Sequence, residues 1–254
     1  KYAEQTNTPE QIKTTLLTLT PEEKAWVKQH PTIRVGNKPD WPPFDFIQDD
    51  KAMGPGIDYV RLIAQKAGLH VSFVQGPWEE LWERFKVRNI DMLHSIYKTK
   101  EREAYALYTD PFQSTAIAMA GRKESGIEDT QDLKGKRLAL LKGYGTTEVL
   151  LKKFPDSIPI MVNNLHEGLS AVSFGEADAV IDTIGSMSYV VIQQTLTNLA
   201  IKRIEIDEQS SNGYMHFVTT KDKPLLHSIL QKGIASLSPE EHARIRSKWV
   251  LQME

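Results

Sequence analysis

The sequence predicts an α/β protein of two similar lobes joined by two chain crossings. Three observations carry this. Strand-like and helix-like patterns alternate from Thr32 to Leu93, the order that builds a mostly parallel sheet with helices on its faces. An apolar run at Ile117–Ala120 leads away from that unit, and the alternation begins afresh at Arg137. The chain then returns at Met215–Thr219 and finishes in two helical patterns. The predicted division is a lead-in with one helix over 1–30, a first lobe over 31–118 plus 214–254, and a second lobe over 119–213. The crossings fall near Ala118–Gly121 and near Asn212–Met215, and two crossings make a hinge.

Each element has a local cause. Thr20-Pro21-Glu22-Glu23 starts a helix, with an N-cap threonine, a proline in the first turn and a glutamate three residues after the cap. That helix stops before Pro31. Thr32–Gly36 alternates as a strand and runs into a proline-stiffened aromatic loop, Asn37–Phe46. Ile57, Val60, Ile63, Ala64 and Ala67 keep helical spacing up to Gly68. Val71–Val74 is a strand. Trp78, Leu81, Trp82 and Phe85 form a helical stripe after Pro77. Met92 and Leu93 end a buried strand, followed by His94, Ser95 and Tyr97, a charged turn at Lys98–Arg102, and a short strand near Leu107 that ends at Thr109–Pro111. In the second half, Arg137–Leu141, Ile158–Val162, Ala179–Ile181 and Ile201–Ile206 read as strands. A glycine loop, Lys142–Thr147, enters a helix, and Asn164 with Glu167 resembles a capping box.

Composition bounds the function. The chain has 254 residues and a formal charge of −2, with no basic footprint for nucleic acid. No apolar stretch approaches the ~20 residues of a membrane span. No signal-peptide pattern opens at Lys1, so a targeting segment is expected outside these residues. Cysteine is absent, which excludes disulfides, thiolate metal sites and cysteine nucleophiles. No histidine pair has metalloprotease spacing, the glycine loop lacks the P-loop lysine, and no G-x-S-x-G or serine–histidine–acid set is legible. No cofactor or metal is expected.

Ligands of open α/β sheets sit at the carboxyl ends of strands. Arg102, just after such an end, presents a planar fork suited to a carboxylate. The plainer reading is a surface residue paired with Glu101 or Glu103. Trp41 is a rigid loop aromatic suited to stacking on a ligand. Trp78 is either ligand wall or core, and Trp82 and Phe85 read as core. His94 is either a ligand donor or a satisfied strand end. His166 reads as solvated. Asp182 is either a site carboxylate or a helix N-cap.

Taken together, several short motifs carry a family likeness. They are Val35-Gly36 followed by Trp41-Pro42-Pro43-Phe44; Gly56-Ile57-Asp58; Asp91 with Thr99, Glu101 and Arg102; Tyr108–Phe112; Leu133–Lys136; Gly143–Thr146; and Gly175–Val180. In this order the chain, from Ile33 to Trp249, resembles the bacterial family 3 extracellular solute-binding proteins, the amino-acid-binding type of periplasmic receptor. The preface Leu19–Trp26 resembles the segment before such domains in bacterial membrane sensors, hybrid histidine kinases and diguanylate cyclases, where the domain is called a Venus flytrap. The resemblance implies a type II periplasmic-binding-protein fold, a periplasmic location, a small carboxylate or amino-acid-like ligand, and membrane-anchored signalling modules in the same chain. It implies a carboxylate clamp of Ser95, Tyr97 and Arg102, an aromatic wall of Trp41 and Trp78, and second-lobe contacts from Tyr144, Gly145, Thr146 and Thr147. Where the family often holds an α-ammonium with two aspartates, this sequence has Lys38 and Thr183, with Asp40 and Asp182 beside them. That points away from a zwitterionic amino acid and toward a small anion. Alternatives implied by the resemblance are a free transport receptor and, on Asp182, His94 or Asp40, a dehydratase-like enzyme.

Overall fold

Thr20 does cap the first helix. Its Oγ1 accepts from the N–H of Glu23 at 3.1 Å, and the Glu23 carboxylate accepts from the N–H of Thr20 at 3.0 Å. The computed structural model describes residues 14–142, 144–206 and 213–249. The lead-in before Thr14, Gly143 of the glycine loop and Asn212 of the return crossing lie outside the described residues.

The order of elements is α1 (Pro21–Gln29), β1 (Thr32–Asn37), β2 (Asp40–Trp41), β3 (Asp45–Gln48), β4 (Lys51–Met53), α2 (Pro55–Ala67), β5 (His70–Gln75), α3 (Trp78–Lys86), β6 (Met92–Ile96), α4 (Lys100–Glu103), β7 (Ala106–Ser114) and β8 (Ile117–Arg122). It continues with β9 (Arg137–Leu141), α5 (Gly145–Lys153), β10 (Ile158–Val162), α6 (Leu165–Phe174), β11 (Ala179–Thr183), α7 (Ile184–Gln194), β12 (Leu199–Arg203), β13 (Tyr214–Thr220), α8 (Pro224–Ala235) and α9 (Pro239–Trp249).

Two sheets share one strand order. The first runs β5-β1-β6-β13-β7 and the second β10-β9-β11-β8-β12. In each, the central strands are parallel and the crossing strand, β13 or β8, is antiparallel to both its neighbours. A further parallel between the halves is a pin at the sheet's end. Asp91 takes the backbone N–H of Arg34 at 2.7 Å and its guanidinium at 2.9 and 3.1 Å. Asp178 does the same for Arg137, at 2.8, 2.9 and 3.1 Å. No such repeat was visible in the sequence, because one arginine–aspartate pair spans an insertion different from the other.

The chain passes from the first sheet to the second between Ser114 and Ile117, a few residues before the predicted crossing, since Ala118–Gly121 already lie inside β8. The aromatic loop is more ordered than predicted. Within it β2, β3 and β4 form a small antiparallel sheet. One core, around Val35, Ile63, Phe217 and Ile229, supports the first sheet, and another, around Leu169, Val172, Val180 and Met187, supports the second. Helices α1, α8 and α9 belong to the first half. Glu23 pairs with Lys232 across α1 and α8, and Lys66 of α2 pairs with Glu241 of α9 at 2.7 Å.

Candidate functional site

The site begins where β1 ends. Asn37 is fully buried and its amide donates to Asp45 Oδ1 at 2.7 Å, while the N–H of Lys38 donates to Asp45 Oδ2 at 3.0 Å. Burial alone would raise the Asp45 pKa, but His94, the Lys38 ammonium and the Lys38 N–H together hold its carboxyl below the usual range. This buried carboxylate fixes the loop that carries Lys38 and Trp41. The Lys38 ammonium lies 4.1 Å from the ring centre of Trp41 and 5.3 Å from that of Trp78. Burial pushes its pKa down to about 8, with Arg102 acting in the same direction and Asp45 and Asp40 opposing.

Arg102 sits on the same wall. Thr99 caps the short helix α4, accepting from the N–H of Arg102 at 3.2 Å. The guanidinium donates to the Tyr97 carbonyl at 3.1 Å and stacks 5.0 Å from the centre of Trp78. Burial lowers the Arg102 pKa. Arg102 does not pair with its helix neighbours. Glu103 instead meets Lys98 at 3.1 Å. Among the described residues, no carboxylate oxygen lies within the 4.0 Å ion-pair range of either Arg102 or Lys38.

Ser95 is placed differently from the implied clamp. Its φ is +56°, in the left-handed region, and the facing strand β13 shifts register between His216 and Val218. Ser95 is 2% exposed, and its Oγ faces His94 Nδ1 at 3.0 Å. His94 Nε2 in turn lies 3.5 Å from Asp45 Oδ2. The fold thus aligns an acid, a histidine and a serine that no sequence spacing had revealed. The set is sealed. Gly56 covers it so tightly that a Cβ there would lie 2.4 Å from both the serine oxygen and the histidine nitrogen. Its local effect is to brace the Asp45 loop; His94 Nδ1 is engaged by Ser95, while Nε2 is buried without a hydrogen-bond partner among the described residues.

Between the lobes lies a cavity of about 700 Å³. Of the predicted residues, Trp41 and Trp78 line it from the first lobe and Tyr144 and Asp182 from the second. Ser95, Tyr97, Arg102 and Thr146 are not on that wall. Lys38, Tyr97 and Arg102 form a layer against the two tryptophans, with Tyr97 edge-on to Trp41 at 6.1 Å. Thr146 is exposed, Gly145 opens α5, and Thr147 turns inward to donate to the Leu141 carbonyl at 2.5 Å.

Asp182 does not cap α7. That role falls to Thr183, whose Oγ1 accepts from the N–H of Ser186 at 3.2 Å. Asp182 keeps one bond, from the N–H of Thr183 at 2.6 Å, and burial pushes its pKa up to about 6. Across the cleft, the Tyr97 hydroxyl is held above its ordinary pKa, first by burial and then by Asp182. The hydroxyls of Tyr97 and Ser186 are buried and have no hydrogen-bond partner among the described residues. Tyr144 is raised to about 12, by burial and then by Asp40, Asp182 and Glu79. Sequence reasoning missed Ser186, Tyr189 and His166 on the cavity wall. His166, read as solvated, stands at the first turn of α6, facing the cleft.

The lobes touch beside the cavity. Gly185 meets the ring of Phe44, and Tyr189 lies 6.0 Å from Phe46. This geometry, two like sheets closing on a lined cleft, has a sequence counterpart: residues 33–252 match the bacterial extracellular solute-binding proteins, family 3. The chain belongs to that family. Among family members and relatives, the virulence sensor protein BvgS of Bordetella pertussis is 26% identical over 231 residues, covering 89% of this chain and 18% of BvgS. The sensor protein EvgS of Escherichia coli K12 is 24% identical over 239 residues, covering 92% of this chain and 19% of EvgS. The chain therefore spans less than a fifth of these relatives. The crystal structure of the periplasmic VFT2 domain of B. pertussis BvgS superposes with a TM-score of 0.77 at 24% identity, covering 92% of this chain and 99% of that domain. The solute-binding fold, two α/β lobes of the periplasmic Venus flytrap type, is the fold of this chain. No helix among the described residues is long and apolar enough to cross a membrane.

Proposed function

We propose that this chain is the periplasmic ligand-sensing domain of a membrane sensor, and that it closes on a small anion, a carboxylate, held by Arg102 and Lys38, the cations layered against the wall tryptophans Trp41 and Trp78. The observation that carries the reading is the pair of half-buried cations with no carboxylate in range among the described residues. A buried charge is costly unless it is paired, and both groups are pressed toward deprotonation by burial. A bound carboxylate supplies the missing charge. Arg102 spends one N–H on Tyr97 and keeps the others for a bidentate contact. The unpartnered Ser186 hydroxyl is a donor on the second-lobe wall, and the unpartnered Tyr97 hydroxyl lies in the layer against the tryptophans. Asp182, titrating near pH 6, can share a proton with a ligand oxygen.

The cation that a zwitterionic ligand brings with it is here part of the chain, as Lys38. The likeness to sensor proteins supports signalling: ligand binding biases the open–closed equilibrium, and helix α9, packed on the first lobe, carries the change toward modules beyond this chain. The alternative, a free transport receptor, uses the same cleft and is separated by whether a membrane segment and an output module flank this region in the gene. We read Asp45, His94 and Ser95 as support for the loop and assign them no chemistry.

Native mass spectrometry of the purified chain tests the proposal. A retained small acid, lost on Arg102→Ala, supports it. A retained amine or neutral sugar contradicts it.

A further inference from the structure

Lys38 lies where a free cation would otherwise fit. Its ammonium is 4.1 Å from the centre of Trp41 and 5.3 Å from that of Trp78, and both rings also line the cavity. A cation within about 6 Å of an indole face is attracted by the ring quadrupole. The lysine backbone is anchored on both sides, its N–H to Asp45 at 3.0 Å and its carbonyl to the Asn37 amide at 3.1 Å. Asp40 and Asp45 face the ammonium from its own loop and Arg102 faces it from α4, and no carboxylate reaches ion-pair distance among the described residues. The two rings are therefore partners of the ammonium beside the longer-range charges of Asp45 and Asp40.

We infer that Lys38 is a tethered occupant of an aromatic slot built for a free organic monocation, a primary alkylammonium or a guanidinium, and that this lysine sets the specificity of the cleft. With Lys38 in place, an external ammonium has no seat between the tryptophans, and the cleft takes the anionic partner alone. Cutting the side chain back to Cβ empties the slot and leaves two indole faces with Asp40 and Asp45 around it, two negative charges against the one positive charge of Arg102. The inference rests on the reading above only for the anion that joins the lysine.

The test uses n-butylammonium as probe, with titration calorimetry and tryptophan fluorescence on wild type, Lys38→Ala and Lys38→Met. The alanine variant is expected to gain saturable binding at least about tenfold tighter than wild type, the scale of two ring–cation contacts. The methionine variant refills the slot without charge and is expected to gain none. In wild type, proton–carbon NMR of labelled lysines is expected to show one ε-CH₂ group shifted upfield by the indole rings and lost in Lys38→Ala. The inference is overturned if a cooperatively folded Lys38→Ala binds the probe no better than wild type, or if Lys38→Met binds it as well as Lys38→Ala. It is also overturned if every lysine ε-CH₂ resonates with the exposed lysines, a result that needs no variant to fold. Butylammonium binding by Lys38→Ala, in a chain whose wild type binds no carboxylate, upholds this inference and rejects the anion reading.

Discussion

Gly185 of the second lobe lies against the ring of Phe44 of the first, so closely that a Cβ at Gly185 would fall 2.7 Å from Phe44 Cζ. Phe44 is fully buried, on the loop that Asp45 braces. The contact between the lobes thus depends on the absence of a side chain at this position. Gly185→Val is expected to hold the lobes apart and weaken ligand binding, with each lobe still folded. Small-angle scattering reads this directly as a larger radius of gyration than wild type. An unchanged radius would mean that the contact does not limit closure.

Anion binding is expected to weaken as pH rises, in two steps. As pH rises through about 6 Asp182 loses its proton and adds a negative charge to the cleft, and as it rises through about 8 Lys38 loses its proton and removes a positive one. Both changes oppose an anion. Calorimetry with a short carboxylate that stays fully ionised throughout, such as pyruvate, between pH 5 and 9, measures the profile. Asp182→Asn should flatten the lower step and Lys38→Met the upper. A profile that strengthens with pH would contradict the charge assignment.

Asp182 also links pH to stability. Its folded pKa lies above its unfolded value, so its contribution is fully present below the unfolded pKa and is lost as pH rises through about 6. Asp182→Asn, which keeps an oxygen for the Thr183 N–H, is therefore expected to raise the melting temperature at pH 8 more than at pH 5. Equal shifts at both pH values would show that the carboxylate is not strained by burial.

The twin pins predict matched losses. Asp91→Ala and Asp178→Ala each leave a backbone N–H and a guanidinium without their acceptor, at a cost of about 1–3 kcal/mol. Asp178 is depressed to about 2, first by its hydrogen bond to Arg137. Its contribution is present above its unfolded pKa and lost as pH falls through about 2. Urea melts at neutral pH should show both losses, and a silent Asp178→Ala would remove the pin from the account.

The sequence carried the strand–helix order because core strands such as Val35–Gly36 and Val180–Ile181 have clear apolar runs and the helices have caps. The small β2–β3–β4 sheet was not legible. Its strands are two to four residues long and are interrupted by Pro42 and Pro43, too short for alternation to register. The positive φ of Ser95 was equally hidden, since serine carries no sign of it, and it is what turns the hydroxyl from the cleft toward His94. Trp41, a rigid aromatic in a loop, and Trp78, a wall-or-core alternative at a helix start, both line the cavity. Lys38 was noticed only as a departure from a family pattern. Its direction, into the tryptophans, depends on the buried Asn37–Asp45 brace, a contact across eight positions that no local pattern encodes.

The most direct test of the central claim is calorimetric titration of wild type and Arg102→Ala with a panel of short mono- and dicarboxylates at pH 6. At least one carboxylate is expected to bind wild type and to lose about 30-fold or more in Arg102→Ala, the scale of a lost charge-assisted contact of about 2 kcal/mol. Equal affinity in the two proteins, or wild-type binding confined to organic cations, would contradict the claim that Arg102 and Lys38, without an ion-pair partner among the described residues, await an anion.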